Sequence, residues 1–331
     1  METGSQLEVA QRMPPVSFFS PAGLSLDRAN YLNHVFLNVL RALGKASARP
    51  KHFEVILRHS RLHDHAFNLS KYVEPVVRPV LANIRTLFLD LNWEFPPTQV
   101  EVNNTPTACP SYLLRIFLSK LSELEHLRLN FEFHPGQETN DVLSWLSRPA
   151  SGVTSNITTG TSLPESPRSV NFAKLRQLDI GMVTIEPKFL LAIIRKYQAT
   201  LRAISFHKVS LLPADSAQSG ARINLWAQLF GQLSKLNLNL SAINMSFLTQ
   251  EQTGRQHLRT VTFKDTRDPR TKKWAGTDSQ SGLRDFTDLV VVDGLDHDTE
   301  SSHSDESDEN DSDSKSLQFQ SVGRALGLTV A

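Results

Sequence analysis

A single cysteine, Cys109, among 331 residues leaves nothing with which to close an internal disulfide or build a cysteine zinc cluster. No apolar run approaches the roughly 20 residues that cross a bilayer as a helix. The stretch from Met1 to Pro15 lacks the apolar centre of a secretory signal. These absences point to a cytoplasmic or nuclear protein, monomeric and without a membrane segment. Also missing are both common glycine-rich phosphate loops, a Gly-x-Ser-x-Gly elbow and the kinase signature set. Cys109 has no local context of an activated nucleophile. The nearest approach to a ligand set, His59, His63 and His65 around Asp64, has no second cluster to complete a coordination sphere. Carboxylate neighbours such as Glu123 and Glu125 read as solvated. No cofactor, metal or catalytic residue is expected, and the chain reads as a non-enzyme.

What is present is charge asymmetry and repetition. From Asp285 onward there are 12 acidic residues against Lys315 and Arg324, so the body before it holds 33 basic and 22 acidic residues, a net of +11. A basic body ahead of an acidic tail favours an acidic partner, or a tail that masks the body.

Six segments follow a Leu-x-x-Leu-x-Leu frame, beginning at Ile84, Leu124, Leu175, Leu201, Leu233 and Leu258. Their spacings are 40, 51, 26, 32 and 25 residues, as in a leucine-rich repeat that carries insertions in its first copies. Alternation makes each frame a short strand with its fourth and sixth positions buried and its fifth and seventh wet. Eleven of the twelve wet positions are polar, small or charged, Phe88 being the exception. The second position is arginine at 85, 176, 202 and 259, which stacking would align along one edge.

Between the frames lie helical stripes. Leu114, Phe117, Leu118 and Leu121 form one, Leu190, Ile193, Ile194 and Tyr197 another, and Ile223, Trp226, Ala227 and Phe230 a third. Pro187 suits a first helical turn, and Asp141 suits the cap of a short helix through Trp145 and Leu146. An earlier stripe, Leu32, Val35, Phe36, Val39, Leu40 and Leu43, has Ser25 as its cap, and Phe53, Val55 and Leu57 alternate as a strand. The fold class is therefore α/β, an irregular leucine-rich-repeat-like solenoid of alternating short parallel strands and helices. Residues 1–24 read as a flexible arm and 25–292 as the solenoid, with insertion loops at 98–111 and 147–171 and a shorter loop at 213–221. A final strand is expected at Leu289–Val292. Residues 293–314 form an acidic Ser/Asp segment too poor in apolar residues to fold, and 315–331 a terminal tail.

The run Phe-Ala-Lys-Leu-Arg-Gln-Leu-Asp-Ile-Gly from Phe172, the helix containing Phe-Leu-Leu-Ala-Ile-Ile-Arg-Lys-Tyr, and Thr-Leu-Arg-Ala-Ile-Ser-Phe from Thr200 resemble the repeat region of large, divergent fungal F-box proteins with leucine-rich-repeat-like C-terminal halves. The resemblance extends over about residues 30–295. It implies the substrate-recognition part of a cullin-type ubiquitin ligase. The F-box itself, with its Leu-Pro opening, is not legible in the Val9-Ala-Gln-Arg-Met-Pro-Pro-Val start. Docking to the ligase adaptor is therefore not expected, while the recognition surface is. That surface is assigned to Arg128, Asp179, Ser205, His207, Asn237, Asn239, Thr262 and Lys264, facing a protein partner. The rival reading is a nucleic-acid-binding protein masked by its acidic tail, with Lys45, Arg49, Lys51, Arg58 and Arg61, or Lys272 and Lys273 beside Trp274, as basic patches.

Overall fold

The computed structural model describes residues 21–57, 61–92, 98–102, 105–131, 141–150, 167–213, 223–252, 255–264 and 266–295. The expected arm over residues 1–20, the middle of the second insertion, and the acidic and terminal segments from residue 296 lie outside these. Helix α1 spans Pro21–Lys45, so residues 21–24 are helical and Ser25 lies inside the helix instead of capping it. Proline fixes φ at the first turn, where its missing N–H costs nothing. The helix buries Asn33, Phe36 and Leu40, while Val35 and Val39 of the expected stripe are 40% and 44% exposed. Helix α2, Glu74–Leu81, packs on α1 so closely that a Cβ at Gly44 would stand 2.4 Å from the Val76 carbonyl oxygen. The prolines at 75 and 79 hid this helix from periodicity.

Five strands lie in parallel register, the last four of them on the frames. They are β1 (His52–Val55), β2 (Thr86–Leu91), β5 (His126–Phe131), β6 (Gln177–Ile185) and β7 (Ala203–Leu211). Leu87, Leu127, Leu178 and Ile204 stand side by side and buried, as do Leu89, Leu129, Ile180 and Phe206. Each buried leucine contributes about 1.5–3 kcal/mol. Between strands run α3 (Tyr112–Ser119), α4 (Asp141–Ser147), α5 (Pro187–Lys196) and α6 (Leu225–Leu233), whose apolar stripes are buried. The molecule is thus mixed α/β, with a mostly parallel sheet and alternating strands and helices. Among the described residues no helix is long and apolar enough to cross a membrane.

Three expectations are corrected. The first insertion is not a loop. Thr98–Val102 (β3) and Thr105–Cys109 (β4) form an antiparallel hairpin, as β-branched runs flanking Asn103-Asn104 permit. The fifth strand is not the Leu233 frame. Leu233 completes the helical series Trp226, Leu229, Phe230, Leu233, and the strand is β8, Ala242–Ser246, in the frame Leu240, Ile243, Met245. Ile243 pairs with Ile204 and Met245 with Phe206. The Leu258 frame does form a strand, β10 (Arg255–Phe263), but not a parallel one. It runs antiparallel to β9 (Thr249–Gln252) and to β12 (Val290–Val292), the expected last strand. Strand β11 (Thr271–Ala275) runs antiparallel to β8, and helix α7 (Ser279–Leu289), capped by Asp278, buries Leu283 and Phe286. The polar stretch over residues 266–280 therefore holds a strand and a helix start.

One irregularity limits the wet face. Met182, Lys208 and Phe247 have φ of 57°, 53° and 54° and occupy the same place after three neighbouring frames. Each left-handed residue costs about 1–2 kcal/mol. It acts as a bulge that shifts the alternation by one, so that Val183, Val209 and Leu248 turn into the core behind Ile180, Phe206 and Met245. Pairing resumes beyond it at Val183–Val209 and Ser210–Thr249.

Two long-range contacts hold the helices in place. Asp64, in a one-turn 3-10 helix Asp64–Phe67, accepts the backbone N–H of Leu113 at 3.1 Å and of Leu114 at 2.8 Å. It thereby caps α3, whose own N-cap residue Ser111 makes no capping bond. The Trp145 Nε1–H donates to the Pro167 carbonyl at 2.9 Å, and the Lys196 ammonium donates to the Leu146 and Arg148 carbonyls and the Ser169 hydroxyl. These bonds tie the far end of the second insertion to α4. Burial pulls the Lys196 ammonium down to about 8.

Candidate functional site

Parallel register turns the wet positions into rows across the sheet. The first row is His52, Thr86, His126, Gln177, Ala203, Ala242. The second is Glu54, Phe88, Arg128, Asp179, Ser205, Asn244. The third is Asp90, Asn130, Gly181, His207, Ser246. Small side chains enter the rows on β7 and β8. Where Ala203, Ser205 and Ala242 leave volume, a groove of about 370 Å³ opens, with Arg128, Gln177, Asp179, His207 and Asn244 among its lining.

The charges in this groove are unevenly satisfied. Asp179 accepts His126 Nε2 at 2.8 Å and the Gln177 amide at 3.1 Å. Arg128 stands beside Asp179 in register but forms no ion pair among the described residues; its guanidinium lies over the Phe88 ring at 5.5 Å. Phe88 is itself held edge-on by His126 at 4.6 Å and His52 at 5.6 Å. Asp90 is buried and committed, accepting Leu57 N–H at 2.8 Å and the Asn130 amide at 3.1 Å. Asn130 in turn requires Gly181, since a Cβ there would stand 2.4 Å from its side-chain oxygen. The Asn244 amide bonds the Ser205 hydroxyl at 3.2 Å with one end, while its buried Oδ1 has no partner.

His207 bonds the Ser246 hydroxyl at 2.8 Å. Burial, and then the charges of Lys208 and Arg128, hold its imidazole below the ordinary value of 6.5. On acidification the unfolded chain therefore takes up this proton first. The contribution of His207 to stability is complete above 6.5 and is lost as pH falls from 6.5 to its folded value. An imidazole NMR titration should place His207 below 6.5, and a value at or above it would refute this environment.

Of the eight residues assigned from sequence, Arg128, Asp179, Ser205 and His207 line the groove. Asn237 and Asn239 are exposed in the segment between α6 and β8, not on a strand. Thr262 and Lys264 lie on and just after β10, whose antiparallel pairing with β9 keeps them out of these rows. The assignment missed Gln177, Asn244 and Ser246, together with His126, which holds Asp179. Extending the alternation one step earlier in each frame yields His126 and Gln177, and choosing the Leu240 frame yields Asn244 and Ser246.

Three of the four aligned arginines do stand along one edge. Backbone bonds link Lys51, Arg85, Glu125, Arg176, Arg202 and Ser241 in turn, and Glu125 pairs with Arg85 at 3.3 Å. Arg259 lies elsewhere, bonding the Asp293 carbonyl at 2.6 Å. The basic patch at Lys272–Trp274 is partly consumed by the fold. Lys272 lies 5.4 Å from the Phe286 ring, and Trp274 packs so tightly on α7 that a Cβ at Gly282 would stand 2.6 Å from its indole. Among the described residues no group of three or more His, Cys, Asp or Glu side chains is placed to hold a metal ion. Searches against protein-family models, curated proteins and solved structures each return no match.

Proposed function

We propose that this chain is a non-enzymatic interaction protein, an irregular leucine-rich-repeat-like array that takes a segment of a protein partner in the groove over β5–β8. The observation that carries the reading is the coincidence of small residues in adjacent rows, which opens the groove, with polar side chains not fully used by the fold around it. Arg128, without a counter-ion among the described residues, favours an acidic partner segment. The resemblance to fungal F-box proteins makes a ubiquitin-ligase substrate receptor, or a derivative lacking the F-box, the cellular role.

Ser205→Trp fills the groove from its floor. A protein captured by the wild-type chain should be lost with Ser205→Trp and kept with Gln232→Glu, which alters an exposed position on α6. Retention by a folded Ser205→Trp variant would rule the groove out. Co-isolation of the ligase adaptor and cullin tests the cellular role separately.

A second reading, nucleic-acid binding, draws on the row of Lys51, Arg85, Arg176 and Arg202. Four phosphate contacts would make affinity for single strands fall with a log–log salt slope of about −3. Arg176→Glu should then weaken binding while Ser205→Trp leaves it unchanged.

A further inference from the structure

We propose that the groove binds an extended acidic peptide, one carboxylate of which seats on the Arg128 guanidinium while a backbone carbonyl accepts the second N–H of the Asn244 amide. The inference rests on the groove reading above and names the chemistry of its occupant.

Three features point to this ligand. Over the Phe88 ring, which His52 and His126 meet edge-on, the Arg128 guanidinium lies 5.5 Å from the centroid. Its in-plane N–H fork matches a carboxylate in bidentate fashion. The one carboxylate in register with it, Asp179, is held by His126 and Gln177. The cation is therefore prepared for an acid that the described residues do not supply.

The second feature is the Asn244 amide. Its Nδ2 gives one N–H to the Ser205 hydroxyl and has a second to offer, while its Oδ1 is closed off from solvent. A peptide backbone carries both a donor and an acceptor at every residue.

The third is the distance between them. Strands β5 and β8 are three ladder steps apart, about 14 Å at roughly 4.8 Å a step. About four residues of extended chain, at roughly 3.3 Å each, cover that span, whereas one amino acid does not. Between the two groups the same row holds Asp179 and Ser205, with Ala203 and Ala242 beside them in the first row, and the three small residues let a backbone approach. Asp179 lies in the same groove, so a polyanion with a charge at every unit would meet repulsion there. A peptide can place one acid at Arg128 and neutral residues elsewhere.

The test uses acetyl-Glu-Gln-Gln-Gln-amide, its tetraglutamine counterpart and a four-nucleotide thymidine oligomer, each titrated into the full chain. Arg Nε–H and Asn side-chain amide NMR signals are followed. The single-glutamate peptide should shift the Arg128 and Asn244 signals, and tetraglutamine should bind at least about tenfold more weakly. Arg128→Gln should weaken the single-glutamate peptide by at least about tenfold, with Arg128→Lys between, since lysine keeps the charge and loses the fork. Equal binding of tetraglutamine, no effect of Arg128→Gln, or shifts at Arg128 from the oligonucleotide alone would each overturn the proposal. If the single-glutamate peptide fails while a captured partner still depends on an unfilled groove, the acidic-peptide assignment falls and the groove reading stands. If capture ignores Ser205→Trp, the groove reading itself falls.

Discussion

Trp145→Ala is expected to lower the unfolding free energy by about 3–5 kcal/mol. The ring is fully buried in α4, and the Arg115 guanidinium lies 5.9 Å from its centre. Its indole N–H is the bond that returns Pro167 to the body after a long insertion. Truncation leaves a cavity and an unpaired carbonyl, and it removes a cover from Arg115, which is 5% exposed and whose described hydrogen bonds go to Ser111, Cys109 and the Asp141 carbonyl. Trp145→Phe keeps most of the apolar volume and loses the hydrogen bond, so about 1–2 kcal/mol is expected. Urea melts followed by far-ultraviolet circular dichroism measure both. A loss below about 1 kcal/mol for the alanine variant would mean that α4 does not anchor the insertion.

Asp64→Ala is expected to cost about 3 kcal/mol, because two backbone N–H groups at the start of α3 lose their acceptor inside the core. Asp64→Asn keeps the shape and one acceptor and should cost about 1 kcal/mol. The carboxylate is itself under strain. Desolvation raises its pKa above the ordinary 3.8, against the pull of the Leu114 and Leu113 N–H groups. Between 3.8 and the folded value the native state holds a proton that the unfolded chain has released. The stability from this group therefore falls as pH rises through that window and is constant above it. Equal melts for wild type and Asp64→Ala at pH 7 would show that α3 needs no cap from outside its own segment.

Much of the fold was legible because burial imposes a period. Leu87 and Leu89, Leu127 and Leu129, Leu178 and Ile180, and Ile204 and Phe206 are all buried, and any chain forming strands there must turn them the same way. The third helical stripe was legible too, but its last member, Leu233, also opens a Leu-x-x-Leu-x-Leu frame. Local pattern does not choose between a helix end and a strand start. Pairing of Ile243 with Ile204 chooses, seven residues later, and that choice carried Asn237 and Asn239 off the wet face and brought Asn244 and Ser246 onto it. Asp278, which caps α7 by accepting the Gln280 and Ser281 N–H groups, was hidden by the polar composition around it.

The sequence by itself determined how apolar residues alternate in the first four frames and that the strands recur, since each follows from a period of two or 3.6 within one segment. It also determined that four of the eight assigned residues share a wet strand face. Only the tertiary structure decided which neighbours those residues have. Register places Asp179 beside Arg128, yet His126 and Gln177 take the acid and the guanidinium lies over the Phe88 ring. Such competition depends on distances between strands that lie dozens of residues apart in the chain, and no local period encodes them.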